Sequence, residues 1–494
     1  MELSLHTAGS GGTVRALFWR DASSAPEFAG PIQRLVDSGR FCPDKDQVKA
    51  LDCGDTLLLI MGTPEAEDVR HLKGLLGRAV RMACEEKAAE LEIDLDTYRG
   101  FADIAVLVRQ AAQAAWEGSY RFDAYRSQRD AGLQRVCLKA AGAGEPAVQR
   151  AFAVGDCLGR AVTAARDVVN RTSRDLTPQA LTDWILARAE GGPYEVEALD
   201  AAALGEAGAR ALLSVSAAAE HAPRMVVLRY RGDADHPDQV TALLGKGVTY
   251  DSGGLSLKSK TGMLTMHHDM GGAAAAAAAF DAAARTGLRL NVTAVLPICE
   301  NMLSPAGYRP GDVIGTMDGK TVLIKSTDAE GRLILADAMT WALQRGHAGQ
   351  VIDIATLTGG AVSAYGPLIN AIAVTDDGLR TAVQAASAHS RAVVWEMPLL
   401  DDYLRYLKTD HADIANSSNG AGSAMINAAL FLRSFTKSHP WLHIDSAGTS
   451  WTDKTAGCFA YGATGAGTVL LYDLLRRLAD ASGTIERNGM EDYT

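Results

Sequence analysis

The chain has 494 residues, more than one ordinary hydrophobic core organises, so two or three domains are expected. Hydrophobic residues make up 47% and charged residues 22%, a globular balance, and the net charge of −11 disfavours non-specific binding to nucleic acid or anionic membrane. Seven scattered cysteines without a C-x-x-C pair exclude a disulfide framework and a thiolate zinc site, and read as reduced thiols. No apolar run approaches the roughly 18 residues that cross a bilayer. The start, "MELSLHTAGSGGTVRALFWR", lacks the basic and apolar segments of a secretory signal. A cytoplasmic protein with no membrane partner is the expectation.

In chain order, "DTLLLIMG" reads as a buried strand and "EDVRHLKGLLGRAVRMACEEKAAEL" as an amphipathic helix, while "FADIAVLVRQAAQAAWEG" reads as strand-like, then helical. Between Arg121 and Lys139, five basic residues stand against two acidic ones. A solvated face explains most such clusters, and a partner-binding patch explains the rest. "AAGAGEP" (140–146) marks a boundary, and "AVQRAFAVGDCLGRAVTAARDVV" a connecting helix. Thr177 and Pro178 are the N-cap and first residue of the next helix.

From there strands, glycine-rich turns and helices repeat. "PRMVVLRYRG", "VTALLGKGVTY", "LNVTAVLPI", "GQVIDIATLTGG" and "NAIAVTDD" read as strands, several apolar throughout, as when both faces are covered. "GGAAAAAAAFDAAARTG" and "ILADAMTWALQRG" read as helices, the first because alanine is the best helix former. The expected division is an N-terminal α/β domain over 1–145, a connecting helix over 146–168, a larger domain over 169–482 and a polar tail over 483–494.

"STDAEGRL" (326–333) places Asp328, Glu330 and Arg332 at alternate positions. In an extended segment the three would share one face. Either a solvated surface strand or a metal site accounts for that. "LGKGVTYDSGGLSLKSKTGMLTMHHDMGGAAA" (244–275) adds Lys246, Asp251, Lys258 and Asp269 in one glycine-rich stretch. It lacks the glycine spacing and following Ser or Thr of a Walker loop. No H-E-x-x-H helix accompanies His267 and His268, which read as packing or surface residues. Together the carboxylates and lysines could form an oxygen-rich site for two divalent ions sharing a bridging carboxylate. Lysine ligates only as the free amine, an uncommon use.

These residues, with "ARDVVNR", "PICENMLSPAGYRPGDV", "ATLTG" and "HIDSAGTSW" in the same order, resemble the leucine aminopeptidase family of two-metal exopeptidases over about 160–475. The resemblance implies an α/β fold, with a smaller N-terminal domain and a larger catalytic domain around a mixed β-sheet flanked by helices. It implies metal ligands Lys246, Asp251, Asp269, Asp328 and Glu330, with Asp251 and Glu330 bridging. Lys258 would stabilise the oxyanion, and Arg332 would hold a bicarbonate that takes the proton of the attacking water. Met266, Thr356, Leu357, Gly359 and Ala447 align with the family's substrate channel. The implied cofactors are two ions drawn from zinc, manganese and magnesium. The implied partners are peptides with a free N-terminal amine, and the implied assembly is a homo-hexamer. Ser326 stands where the family usually has asparagine, and the basic residue usual near His267 is missing. Two other readings remain: a nucleic-acid-binding regulator acting through the N-terminal domain, with only 121–139 in its favour, and a two-metal phosphoesterase, for which histidines are few.

Overall fold

The computed structural model describes residues 1–9, 13–62, 69–98, 103–129, 131–390, 392–454 and 459–481. The expected tail, 483–494, and Cys458 lie outside these residues, and the other six cysteines are free thiols. The described residues of Met1–Thr163 and Thr452–Tyr461 form one compact unit, and those of Ala164–Trp451 and Gly462–Thr494 a second. A helix over Pro146–Val169 carries the chain from the first to the second. No described helix is long and apolar enough to cross a membrane.

The first unit holds strands β1 (Glu2–His6), β2 (Val14–Phe18), β3 (Val48–Asp52), β4 (Leu57–Met61), β5 (Glu90–Asp94) and β6 (Arg135–Lys139). They lie in the order β1-β6-β5-β2-β4-β3, parallel except for the β3–β4 pair. The apolar run of β4 is buried from Leu58 onward, as its sequence suggests. The strand-like beginning expected near Ile104 is instead helical, within a helix over Ile104–Ser119. Asp103 caps that helix by accepting a hydrogen bond from the Ala105 amide. Leu107, Val108, Ala111, Ala112 and Ala115 then recur at helical spacing and are buried. A short apolar run reads the same in either periodicity, and only the cap and the longer register decide.

The second unit contains β7 (Glu195–Leu199), β8 (Arg224–Arg231), β9 (Val240–Gly245), β10 (Gly247–Asp251), β11 (Asn291–Asn301), β12 (Val313–Gly315), β13 (Thr321–Leu323), β14 (Gln350–Ala355), β15 (Ile369–Val374), β16 (Val393–Glu396), β17 (Ile414–Ala415) and β18 (Trp441–Asp445). Nine of these form a mixed sheet in the order β16-β15-β18-β14-β9-β11-β8-β7, with β10 also paired to β11. β9 and β11 are buried along their whole length, as their mostly apolar middles suggest, and β11 carries Asn291, Thr293, Glu300 and Asn301 into the interior with them. Thr177 caps the helix Pro178–Ala189 by accepting from the Ala180 amide, with Pro178 at its first turn.

The alanine-rich stretch forms the helix Gly271–Arg285, which lies against β9, β11 and β14. Its small side chains matter most at the N-terminus. A β-carbon at Gly272 would stand 2.4 Å from the Ile354 carbonyl oxygen and 3.0 Å from the Lys246 nitrogen. The Ala273 amide donates to the Lys246 carbonyl at 2.8 Å, so the helix start is bonded to the strand break between β9 and β10. That contact brings Asp269, two residues before the helix, beside Lys246.

Candidate metal centre

The break at Lys246 is where the second expected strand divides. "VTALLGKGVTY" forms not one strand but β9 and β10, and the lysine between them points into the site. Lys246 Nζ lies 2.8 Å from Asp269 Oδ2 and 2.7 Å from Glu330 Oε1, and donates to the Thr356 carbonyl at 3.1 Å. Burial opposes its charge, but Asp269, Glu330 and Asp251 outweigh burial and hold the ammonium above the ordinary lysine range.

Lys258 joins the other two carboxylates, at 2.7 Å from Asp251 Oδ2 and 2.5 Å from Asp328 Oδ1. Its charge, too, is disfavoured by burial and held by the surrounding carboxylates, Asp251 first. Asp251, at the end of β10, accepts from the Asn301 amide at 2.7 Å and from the Gly253 amide at 2.9 Å. Asp269 Oδ1 accepts from the Thr356 hydroxyl at 2.7 Å. Asp328 is the exposed member of the set, and Asp251, Asp269 and Glu330 are buried.

Four carboxylates therefore face two ammonium groups in a space largely closed to water. Burial, with Glu330 and Asp269 as neighbours, pushes the Asp251 carboxyl up to about 8. Burial, against the pull of Lys246, raises Asp269 to about 6. Glu330 Oε2 is buried without a hydrogen-bond partner, and Asp269 Oδ2 meets only the Lys246 ammonium. Ligand atoms of Asp251, Asp328 and Glu330 lie within 4.8 Å of one another. Carboxylates in excess of their counter-charges, with converging ligand atoms and one unpaired buried oxygen, fit divalent cations.

The alternation at 326–333 does not act through an extended segment. Residues 327–328 form a turn, Glu330 is the N-cap residue, and Arg332 lies in the first turn of the helix Gly331–Gln344. The three side chains do not share one spot. Among the described residues no ion pair joins Arg332 to Asp328 or Glu330, whose partners are the two lysines. Arg332 is buried, donates from Nη1 to the Asn416 carbonyl at 2.8 Å, and keeps Nε without a partner. Burial pushes its guanidinium down to about 10, against the pull of Glu330, Asp445 and Asp328.

Of the residues aligned with a substrate channel, Thr356 touches the acidic cluster directly. Met266 sits in the 3-10 turn that leads into Asp269. Leu357 and Ala447 donate their amides to Asp445 Oδ1, at 3.2 and 3.1 Å. Gly359 opens the short helix Gly359–Tyr365 and has no direct bond to the cluster. His267 and His268 pack against Trp451, with ring centroids 5.1 and 5.4 Å away, which is the packing role expected of them. In the basic stretch 121–139, Arg135 pairs with Glu2 and Glu90, and Lys139 with Asp94. Asn301, Asn416 and Asp445 carry no assignment from sequence. Asn301 lies inside "PICENM", a usable signal, whereas an isolated asparagine such as Asn416 offers none.

The comparisons agree with this geometry. The description "Cytosol aminopeptidase family, catalytic domain" matches residues 163–472. A probable cytosol aminopeptidase of Clostridium perfringens is 36% identical over 455 residues, 91% of this chain and 90% of the relative. One from Solibacter usitatus is 37% identical over 412 residues, 83% of this chain and 84% of the relative. The bottromycin maturation enzyme BotP, solved in complex with Mn, is similar with a TM-score of 0.85 and 34% identity, covering 95% of this chain and 100% of that one. A tomato leucine aminopeptidase mutant gives a TM-score of 0.86 at 28% identity, covering 97% and 96%. The chain belongs to the cytosol aminopeptidase family, a family of metal-dependent aminopeptidases.

Proposed function

We propose that the chain is a leucyl-type aminopeptidase that releases N-terminal residues from peptides and aminoacyl amides with two divalent ions. The observation that carries this reading is the convergence of Asp251, Asp269, Asp328 and Glu330 on only two lysines, with Glu330 Oε2 left free. These four carboxylates and Lys246 would hold the ions. Zinc and manganese suit such oxygen and nitrogen donors, with magnesium as a harder alternative. The manganese of the BotP structure supports that choice. When bound, the ions would polarise the scissile carbonyl and lower the pKa of the attacking water.

The chain's own groups do the rest. Lys246 must shed the proton it holds between Asp269 and Glu330 before its amine can ligate. Lys258, whose side chain is partly exposed, would donate to the oxyanion of the tetrahedral intermediate. The free Nε of Arg332, beside a fixed Nη1, suits a planar anion such as bicarbonate, which would accept the proton from water. A free substrate amine can donate its lone pair at the site, and an acetylated terminus cannot.

The test is hydrolysis of leucine amide and acetyl-leucine amide by protein stripped with chelator and then resupplied with Mn²⁺ or Zn²⁺. Expected are loss of activity on stripping, its return with metal, and turnover of the unblocked substrate alone. Full activity in protein shown by elemental analysis to be metal-free, or equal turnover of the blocked amide, would overturn the reading.

A further inference from the structure

Asp328 is the least buried of the four carboxylates, so few contacts of its own side chain fix it. Its place depends on the backbone of the segment 324–330, which leaves β13 and enters the helix Gly331–Gln344. On one side Thr327 is pinned: its carbonyl accepts from Asn301 and Tyr308, and its hydroxyl donates to the Gly253 carbonyl. On the other side stands one fully buried residue, Asn416, directly after β17.

The Asn416 amide group is fully engaged by this segment. Oδ1 accepts from the Lys325 amide at 2.9 Å and the Ser326 amide at 3.3 Å. Nδ2 donates to the Ser326 carbonyl at 2.6 Å and the Ala329 carbonyl at 3.4 Å. The bonded residues therefore bracket Asp328, two before it in the chain and one after. The main-chain oxygen of Asn416 also accepts from Arg332 Nη1, and its amide donates to the Leu323 carbonyl at 3.0 Å. Through one side chain and its own backbone, Asn416 ties the Asp328 loop and Arg332 to the same point.

We propose that Asn416 is a positioning residue for this site: its carboxamide sets the loop that presents Asp328 to a divalent cation, and its carbonyl orients Arg332. The proposal rests on the two-ion reading above. No isosteric substitute does the same work. In Asn416→Asp the second oxygen would replace a donor and face the Ser326 and Ala329 carbonyls, repelling both. In Asn416→Ser the hydroxyl is too short to bridge the two ends of the loop. Both variants keep the main-chain bond to Arg332, so they separate the loop from the arginine.

The experiment titrates Mn²⁺ into chelator-stripped unmodified protein, Asn416→Asp and Asn416→Ser, followed by calorimetry and by elemental analysis after gel filtration. Melting temperature, kcat and KM for leucine amide are read in parallel. The unmodified protein should bind two equivalents. The variants should keep one, and bind the other about 10–100-fold more weakly, the usual effect of losing a partner that orients a ligand. High Mn²⁺ should restore much of kcat, with KM unchanged. A merely structural role would lower the melting temperature and leave both Mn²⁺ affinities alone, and that result overturns the proposal. Should both variants fail to fold, Asn416 is a folding determinant and the proposal likewise falls. Fewer than two equivalents in the unmodified protein would instead sink the two-ion reading, and this proposal with it.

Discussion

At the scale of single residues, the two lysines should fail in different ways. Lys246 is enclosed, with its side chain 3% exposed, and serves two buried carboxylates and a carbonyl. Lys246→Ala should lower metal occupancy and also destabilise the fold, since breaking a buried pair typically costs about 3–5 kcal/mol. Lys258→Ala should leave metal content near normal while slowing turnover by roughly 10²–10³, the scale of one lost oxyanion donor. Equal metal loss in both, measured by elemental analysis, would show the roles are misassigned. Arg332 offers a third contrast. Were it only a counter-charge, Arg332→Lys would preserve activity. Its unpaired Nε and lack of any ion pair with Asp328 or Glu330 argue instead for geometry. Arg332→Lys should fold and bind metal, lose most activity, and lose the stimulation by bicarbonate that the unmodified protein shows in the same assay. A pH effect lies nearby in the sheet. His443 Nδ1 is 2.6 Å from Asp353 Oδ1, which also shares its other oxygen with the Trp441 indole. Burial favours the neutral ring, yet Asp353 outweighs it and raises the imidazole above its ordinary value. The folded protein thus keeps a proton that the unfolded chain releases from about pH 6.5 upward. The pair's stabilisation is complete below that pH and lost as pH rises through the folded value. Urea unfolding should therefore show a His443→Gln deficit at pH 6 that narrows at pH 9, and a deficit independent of pH would refute the assignment.

At the scale of elements, the site is made where strands stop and helices start. Lys246 occupies the break between β9 and β10, Asp251 ends β10, and Asp269 precedes the helix Gly271–Arg285. Glu330 is the N-cap residue of Gly331–Gln344. That helix can begin so close to Lys246 only because its first residue is glycine. A β-carbon on Gly331 would lie 2.7 Å from Lys246 Cε and 2.8 Å from Nζ. Gly331→Ala makes a clean test, because the backbone there has no positive φ and alanine favours a helix over glycine by about 1 kcal/mol. The variant should fold, yet lose metal and activity, because the flexible end of Lys246 is what must move. Retained activity with a lowered melting temperature would contradict this. The alanine run was legible as a helix because its composition alone favours one. The turn at Asp328 was not, because D-x-E-x-R suits an extended segment and a helix start equally well.

At the scale of the whole molecule, folding brings together residues that are far apart in sequence, and it does so at a cost in unpaired charge. Asp251 and Asp269 are both raised by burial, with only two lysines to offset four carboxylates. A cation bound to the folded chain alone should stabilise it by mass action, about 2.7 kcal/mol at a hundredfold excess over Kd. Differential scanning fluorimetry should show the melting temperature rising with Mn²⁺ and falling with chelator, whereas indifference to both would deny that the cluster is a cation site.

The sequence by itself determined the α/β class, most strands of the nine-stranded sheet, the capped helix at Thr177 and the residues of the acidic cluster. Each of these rests on local chemistry: apolar runs of strand length, proline after a cap, alanine propensity, and quoted motifs. Only the tertiary structure decided that Lys246 and Lys258 divide the four carboxylates between them, and that Arg332 answers to Asn416 rather than to its neighbours at 328 and 330. It also decided that the run after Asp103 is helical. The physical reason is the same in each case. Periodicity and composition act over a few neighbouring residues, whereas the pairing of buried charges and amides is settled by which chain segments the sheet order places side by side. Asn416 lies 88 positions after Asp328, and nothing short of the folded chain relates the two.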